Sequence, residues 1–168
     1  LTSRVIDRPM RPLFPKDYRN DVTLNNMVMS VDPDCSPELT AMLGSAIATA
    51  ISDIPFDGPT STTQVGLIDG EFVFNPNAAQ RAVSDMQLTV ASTREKVIMI
   101  EAGANEVPEA KMIEAIFAAH EVNQEVIKFI DEIVAACGKE KHTYTSCAIP
   151  EELFAAMKEI VTPEEMEV

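Results

Sequence analysis

Three arginines near the start of the chain could carry out recognition chemistry. Arg4, Arg8 and Arg11 lie in a short segment that also contains Pro9 and Pro12. A guanidinium group is planar and donates paired hydrogen bonds to phosphate oxygens. The four-residue spacing of Arg4 and Arg8 would place both on one face of a helix. The segment is therefore a candidate contact for the phosphate backbone of a nucleic acid.

The charge of the rest of the chain makes this segment an exception. The chain has 13 Lys and Arg against 27 Asp and Glu, a net charge of −14. Residues 1–19 hold five of the cations and only two carboxylates, a net charge of +3, so the other residues carry −17. An acidic surface repels a polyanion, and any nucleic-acid contact must therefore be local. The alternative is that the arginines only form ion pairs, with Asp7 as one partner.

The sequence contains no complete active site. There is no P-loop, GxGxxG, GxSxG or HExxH pattern. Its three cysteines have no metal-binding spacing, which favours reduced thiols in a cytoplasmic protein. His120 falls on the apolar stripe of a predicted helix, which favours a core histidine. No catalytic residue and no metal ligand is predicted.

Composition indicates a globular, non-membrane protein. The hydrophobic content is 46%, and no apolar run approaches the roughly 18 residues that a membrane span needs. No signal peptide is visible, so we expect a cytoplasmic protein. The chain begins with Leu1 in what reads as a helix, and the sequence therefore predicts a segment of a longer protein.

Apolar periodicity and turn residues predict the order of the elements. A helix is expected to end at Asp7 because of Pro9, followed by a rigid extended stretch from Pro9 to Lys16. Asp69-Gly70 predicts a tight hairpin turn. The other expected elements are a strand at 22–31, a helix at 37–53, two hairpins (64–75 and 86–101), a long helix at 108–137, a linker at 139–148 and a helix from Pro150. This order predicts an α+β fold.

Several strings in this chain resemble a known family. Residues 3–15 (SRVIDRPMRPLFP) resemble a block in the first RNase PH-like domain of bacterial polynucleotide phosphorylases. The resemblance continues through residues 46–59 (AIATAISDIPFDGP), 65–75 (VGLIDGEFVFN) and 97–104 (VIMIEAGA). It implies an RNase PH-like domain, incomplete at its N-terminus, over 1–138. The linker and the start of an all-helical domain are expected over 139–168.

The resemblance implies a phosphorolytic 3′-to-5′ exoribonuclease. Members of the family are homotrimers that thread single-stranded RNA through a ring, use inorganic phosphate as co-substrate and require Mg²⁺. Their chemistry resides in the second RNase PH-like domain. The resemblance therefore gives this segment a ring-forming and RNA-guiding role, with Arg4, Arg8 and Arg11 as RNA-binding residues.

Comparison with the catalytic repeat of the family indicates what this segment lacks. That repeat has a serine-rich phosphate-binding turn where this chain has Ser36-Pro37-Glu38. It also has an Asp-x-Lys where this chain has Gln87 and Thr89. Proline lacks the backbone donor, and a carboxylate repels phosphate. The segment is expected to be inactive alone. A stand-alone, non-enzymatic RNA-binding scaffold subunit of an RNase PH-type ring is the alternative.

Overall fold

A four-stranded antiparallel sheet organises the chain. The computed structural model describes residues 2–161, and within them the strand order is β2-β1-β3-β4. The strands are β1 (Ser61–Ile68), β2 (Glu71–Phe74), β3 (Met86–Ser92) and β4 (Val97–Ala104). The helices are α1 (Thr2–Met10), α2 (Pro37–Ile51), α3 (Ala78–Val83), α4 (Glu109–Cys137) and α5 (Glu151–Ile160), with a 3₁₀ turn at Arg11–Leu13. The expected α+β class is confirmed.

Both hairpins form as expected. Asp69 and Gly70 have φ values of 51° and 82°, the left-handed conformation that a tight turn between β1 and β2 requires. β1 pairs with β3 from Ser61 to Gly66, and β3 pairs with β4 along its whole length. The strands therefore form one continuous sheet with β4 at its edge.

The two faces of the sheet have different coverings. Leu88 and Val90 of β3 are fully buried and pack with Ala115 and Ala119 of α4. The next residue, Ala91, points to the opposite face, since side chains alternate along a strand. There it packs with Met99, Ile6 of α1 and Met42 of α2. Only one end of this second face is covered by α1 and α2.

Helix α4 packs on the sheet through small residues. Ala115, Ala119 and Asn123 are fully buried, whereas Ile113 and Phe117 are more than half exposed. The predicted apolar stripe was therefore wrong for Ile113 and Phe117, whereas Ile116, which it also contained, packs against the core as expected. Alanines allow the helix backbone to approach the strands closely, with the larger Met112 and Ile116 partly buried beside them. His120 is only partly buried and lies beside Gln124, so its assignment to the core was also wrong.

Two other expectations about the first 31 residues are wrong. Helix α1 continues through Pro9 to Met10, and the 3₁₀ turn replaces the expected extended stretch. Pro9 is less than 2% exposed, and so near the helix end it removes only one backbone hydrogen bond. Residues 22–31 form no strand, because no other described strand pairs with them. Their β-branched, alternating pattern meets the local requirement for a strand. A strand also needs a neighbour that pairs with its backbone groups, and the described chain provides none here.

The segment after α4 has no regular secondary structure until α5, as predicted, but it is attached to the rest of the domain. The Lys139 and His142 backbone N–H groups donate to the Ile51 and Asp53 carbonyls. The Lys141 ammonium donates to the carbonyls of Thr49, Ala50 and Ser52 at 2.7–3.1 Å. The segment therefore caps the carbonyl groups at the C-terminal end of α2. The division into domains at residues 138 and 139 stays a prediction.

Candidate nucleic-acid interface

Helix α1 positions the arginine segment against the sheet. Its inner face buries Ile6 and Met10, at 8% and 3% exposure, against α2 and the strands. Arg4, Arg8 and Arg11 are all exposed. Because the helix continues through Pro9, the fold carries the three arginines on one continuous helical segment. Burial of the apolar face therefore fixes which way the arginines point.

The three arginines differ in their partners. Arg11 donates to the Asp7 carboxylate from Nη2 at 2.7 Å and from Nε at 3.1 Å. Arg8 Nη1 lies 2.5 Å from Glu101 Oε2 on β4. Arg4 has no ion-pair or hydrogen-bond partner among residues 2–161. The ion-pair interpretation thus holds for Arg8 and Arg11, and the phosphate contact of all three arginines stays a prediction.

The Asp7–Arg11 pair is local and solvent-exposed. The hydrogen bonds that Arg11 donates to Asp7, followed by the negative charge of that carboxylate, raise the pKa of Arg11 above its already high value. The Arg11 side chain is 77% exposed, so water and salt screen this pair. An approaching phosphate can therefore reach the outer side of this guanidinium. Asp7 is a partner of an arginine, as its position in the sequence indicated.

A cavity of about 230 Å³ lies between the second sheet face and helices α1 and α2, beside the ion pair of Arg8 and Glu101. It brings together the residues that the family comparison aligned with catalytic positions. Ser36 and Glu38 come from the start of α2, while Gln87 and Thr89 come from β3. Glu101 of β4 and buried Gln64 of β1 complete the polar lining, with Val5, Leu39 and Met42 as the apolar part.

The start of α2 is closed to an incoming anion by its own side chains. The Leu39 backbone N–H donates to Ser36 Oγ at 3.5 Å, and Ser36 Oγ donates to Glu38 Oε2 at 2.9 Å. Pro37 has no backbone N–H to offer. A second carboxylate, Glu101, lies on the other side of the cavity. This cavity therefore repels phosphate where a helix N-terminus would otherwise attract it.

The sequence identified the arginines but not Glu101 as a partner. Arg8 and Glu101 are 93 residues apart, and no spacing rule connects them. Helix α3 was also missed, although Asn77 and Gln80 carry its signal. Asn77 accepts from the Gln80 N–H, and the Gln80 side chain accepts from the Asn77 N–H, which is a capping box.

Comparison with known proteins finds a matching family model and close relatives. Residues 58–122, from just before β1 into α4, match the model of the 3′ exoribonuclease family, domain 2. The chain is 85% identical over 167 residues to a polyribonucleotide nucleotidyltransferase from Lachnoclostridium phytofermentans, covering 99% of this chain and 24% of the relative. It is 54% identical to the corresponding Clostridioides difficile protein, covering 95% of this chain and 22% of the relative. Over almost its whole length, this sequence is similar to a segment of polyribonucleotide nucleotidyltransferases.

Two further findings concern how much of the relatives the chain matches and which fold it shares with a solved structure. The chain spans about a quarter of the length of these two relatives. The crystal structure of rice (Oryza sativa) Rrp46 is similar, with a TM-score of 0.56 and 15% identity. That match covers 62% of this chain and 51% of the rice chain, and it concerns the fold alone. The expected RNase PH-like fold is therefore confirmed, and the family resemblance seen in the sequence is too.

No helix within residues 2–161 has the length and apolar character needed to cross a membrane.

Proposed function

We propose that this chain works within a phosphorolytic 3′-to-5′ exoribonuclease that acts in mRNA degradation. In this reaction an oxygen of inorganic phosphate bonds to the phosphorus of the 3′-terminal phosphodiester. The 3′ oxygen of the shortened RNA leaves, and a nucleoside diphosphate is released. The reverse reaction extends RNA from nucleoside diphosphates. Support comes from the high identity to polyribonucleotide nucleotidyltransferases and from the exoribonuclease family match.

Within that enzyme, this segment guides RNA and does not perform the chemistry. The cavity beside Arg8 is the observation that carries this proposal. Its lining presents Glu38 and Glu101 to an incoming phosphate, together with the neutral side chains of Gln87 and Thr89. No lysine or arginine of the described chain lines the cavity, and the Arg8 guanidinium beside it is already paired with Glu101, so the lining gives a phosphate nucleophile no unpaired cation to bind.

The residues of this cavity do not fit a magnesium centre. Mg²⁺ prefers carboxylate ligands in octahedral geometry, together with substrate phosphates. Here Gln87 stands where the family's catalytic repeat has an aspartate, and the two carboxylates present already accept from Arg8 and from Ser36. No group of three or more potential metal ligands occurs in the part of the chain that the structure describes. We propose that the parent enzyme binds Mg²⁺ through residues outside this segment.

The proposed partners follow from the arginine surface. Single-stranded RNA is the proposed ligand of Arg4, Arg8 and Arg11, through its phosphates. A homotrimeric ring in the cytoplasm is the proposed assembly, since a ring would direct RNA past this surface toward the catalytic domains. The alternative, a stand-alone scaffold subunit of such a ring, has the same non-catalytic cavity. The two proposals differ in one feature of the complete polypeptide. The exoribonuclease requires a second RNase PH-like domain that carries the serine turn and Asp-x-Lys, whereas the scaffold subunit does not.

The test compares the 168-residue chain with the complete polypeptide in a phosphorolysis assay. The complete polypeptide should release nucleoside diphosphates from single-stranded RNA when phosphate and Mg²⁺ are present. The 168-residue chain, purified from a host lacking its own enzyme, should release none. Phosphate-dependent release by the short chain would show that the catalytic residues lie within it and would overturn the assignment.

A further inference from the structure

The ion pair between Arg8 and Glu101 connects the arginine segment to the sheet. Arg8 lies on α1, and Glu101 lies on β4 opposite Thr89 in the strand register. Both side chains are about half exposed, at 50% and 46%. Glu101 also lines the cavity beside the arginines. One carboxylate therefore contacts both the proposed RNA-binding surface and the cavity beside it.

The Glu101 carboxylate reduces the electrostatic attraction between Arg8 and a phosphate. The guanidinium and the carboxylate together have no net charge, so a phosphate that approaches Arg8 meets attraction and repulsion at almost the same distance. Arg4 has no such partner in the described part of the chain. The position of Glu101 on a different element also fixes the direction of Arg8, whereas Asp7 pairs with Arg11 within a single helix turn.

We infer that Glu101 is a positioning residue that moderates RNA binding by holding Arg8 against β4. This inference rests on the proposed function, because it assumes that RNA phosphates contact the arginine segment. An enzyme that removes one nucleotide at a time needs RNA to advance after each step. Weak phosphate contacts allow that movement, and Glu101 weakens the phosphate contact of one of the three arginines.

The test replaces Glu101 by glutamine in the complete polypeptide. Glu101→Gln keeps the size of the side chain and an oxygen that can accept from Arg8, but it removes the negative charge. Affinity for a labelled oligouridylate should rise by about two- to fivefold at low salt, the size of an exposed ion-pair effect. The slope of log K against log salt should become steeper by about 0.7, as for one more phosphate contact on a single strand.

Two further variants identify the cause. Asp131→Asn removes an equal charge from the exposed Arg94–Asp131 pair, which joins the β3–β4 turn to α4, and it should leave the salt slope unchanged. Arg8→Gln combined with Glu101→Gln should lose most of the gain, since Glu101 acts through Arg8. Circular dichroism melting curves verify that each variant is folded.

The outcomes separate this inference from the proposed function. If Glu101→Gln lowers affinity, or if Asp131→Asn raises it equally, the moderating role is wrong while the RNA contact stands. If neither Arg4→Gln nor Arg8→Gln changes affinity or salt slope, the RNA-contact proposal itself fails. A gain that survives in the double variant shows a general charge effect and also overturns the moderating role.

Discussion

Arg4, Arg8 and Arg11 have the same side chain, but the fold gives them three electrostatic environments. Arg11 pairs with a carboxylate on its own helix, and Arg8 pairs with one on the sheet. Arg4 has no partner in residues 2–161. A free guanidinium attracts a phosphate with its full charge, while a paired one must share its hydrogen bonds. The three positions should therefore contribute unequally to RNA binding.

We expect Arg4→Gln to weaken RNA affinity more than Arg11→Gln does. Replacement of Arg4 should lower affinity by several-fold for many sequences alike, because phosphate contacts carry no base information. It should also make the salt dependence shallower by about 0.7 in log–log slope. The kcat on a short, saturating RNA should change little, since the proposed site of the chemistry lies outside this segment. Fluorescence anisotropy titrations at several salt concentrations measure the affinities.

Arg11→Gln is the matched control, since it removes the same group from the same segment but from an existing ion pair. Equal losses from the two variants would contradict the ranking. Loss of the folded state without a change in the affinity of the folded remainder would show that these arginines serve structure only.

The two ion pairs differ in whether the sequence alone could predict them. The Asp7–Arg11 pair could be anticipated because residues four apart on a helix are neighbours. The Arg8–Glu101 pair could not, because it depends on β4 lying next to α1. The same holds for Gln87 and Thr89, whose places in one cavity with Ser36 required the register of β3 and the start of α2.

At the scale of elements, one buried polar residue joins α4 to the sheet. Asn123 is fully buried, and its Oδ1 accepts from Thr63 Oγ1 at 2.9 Å. Its Nδ2 donates to the Val90 carbonyl and to Ser92 Oγ. These bonds satisfy the side chain of Asn123 and tie β1 and β3 to the same turn of the helix. Apolar periodicity could not reveal this, because it treats asparagine as a surface residue.

Asn123→Leu should destabilise the domain although leucine is the more hydrophobic residue. Thr63, Ser92 and the Val90 carbonyl would lose a buried partner, and each unsatisfied group costs about 1–3 kcal/mol. We expect the free energy of unfolding to fall by at least about 2 kcal/mol in urea titrations. Asn105→Leu on the exposed surface is the control and should change it far less. An unchanged stability for Asn123→Leu would show that the bonds contribute nothing net.

The segment that follows α4 is held by titratable groups. Tyr144 Oη donates to Asp17 Oδ1 at 2.8 Å, and the Cys147 backbone N–H donates to the Asp17 carbonyl. Hydrogen bonds from Ser146 and Tyr144 lower the pKa of Asp17. The same bond to Asp17, followed by burial, raises the pKa of Tyr144. The attachment therefore depends on an ionised Asp17 and a protonated Tyr144.

These two pKa shifts predict the pH range of the attachment. The contribution of Asp17 is present above its ordinary pKa of 3.8 and is lost as pH falls through the lower folded value. The contribution of Tyr144 is present below its ordinary pKa of 10.0 and is lost as pH rises through the higher folded value. Asp17→Asn should therefore shift the titration of one tyrosine to lower pH in near-ultraviolet absorbance, with Tyr144→Phe identifying which one. Identical titration curves for the wild type and Asp17→Asn would contradict the bond.

At the scale of the whole molecule, charge and apolar surface are unevenly distributed. Residues 1–19 carry a net charge of +3 and the rest of the chain −17, so a polyanion such as RNA would be attracted to the first segment and repelled from the rest. Large apolar side chains are exposed on several elements of the described chain, among them residues 22–31 and helix α5. Met27 and Met29 in residues 22–31 are more than 80% exposed, and Leu153, Phe154, Met157 and Ile160 of α5 are more than half exposed.

The order of strands and helices was largely predictable, because each hairpin and helix carries its own local signal. The fate of residues 22–31 was not, because a strand requires a partner as well as an alternating pattern. In the described chain this segment lies beside α2 and pairs with no strand, and the Ser45 hydroxyl donates to Asn26 Oδ1. A contiguous apolar segment of this kind is a site for association.

We therefore expect the 168-residue chain to self-associate through residues 22–31. Met27→Lys combined with Met29→Lys should shift the chain toward monomer at concentrations of tens of micromolar, measured by sedimentation velocity. These side chains are 82% and 84% exposed, so the replacements remove little internal packing. The added lysines reduce the net negative charge, which by itself favours association. A shift toward monomer would thus come from the lost apolar surface.

Val83→Lys, at a 67% exposed position on α3, is the control and should leave the distribution unchanged. A monomeric wild-type chain, or an equal effect of the control, would exclude this segment as the contact.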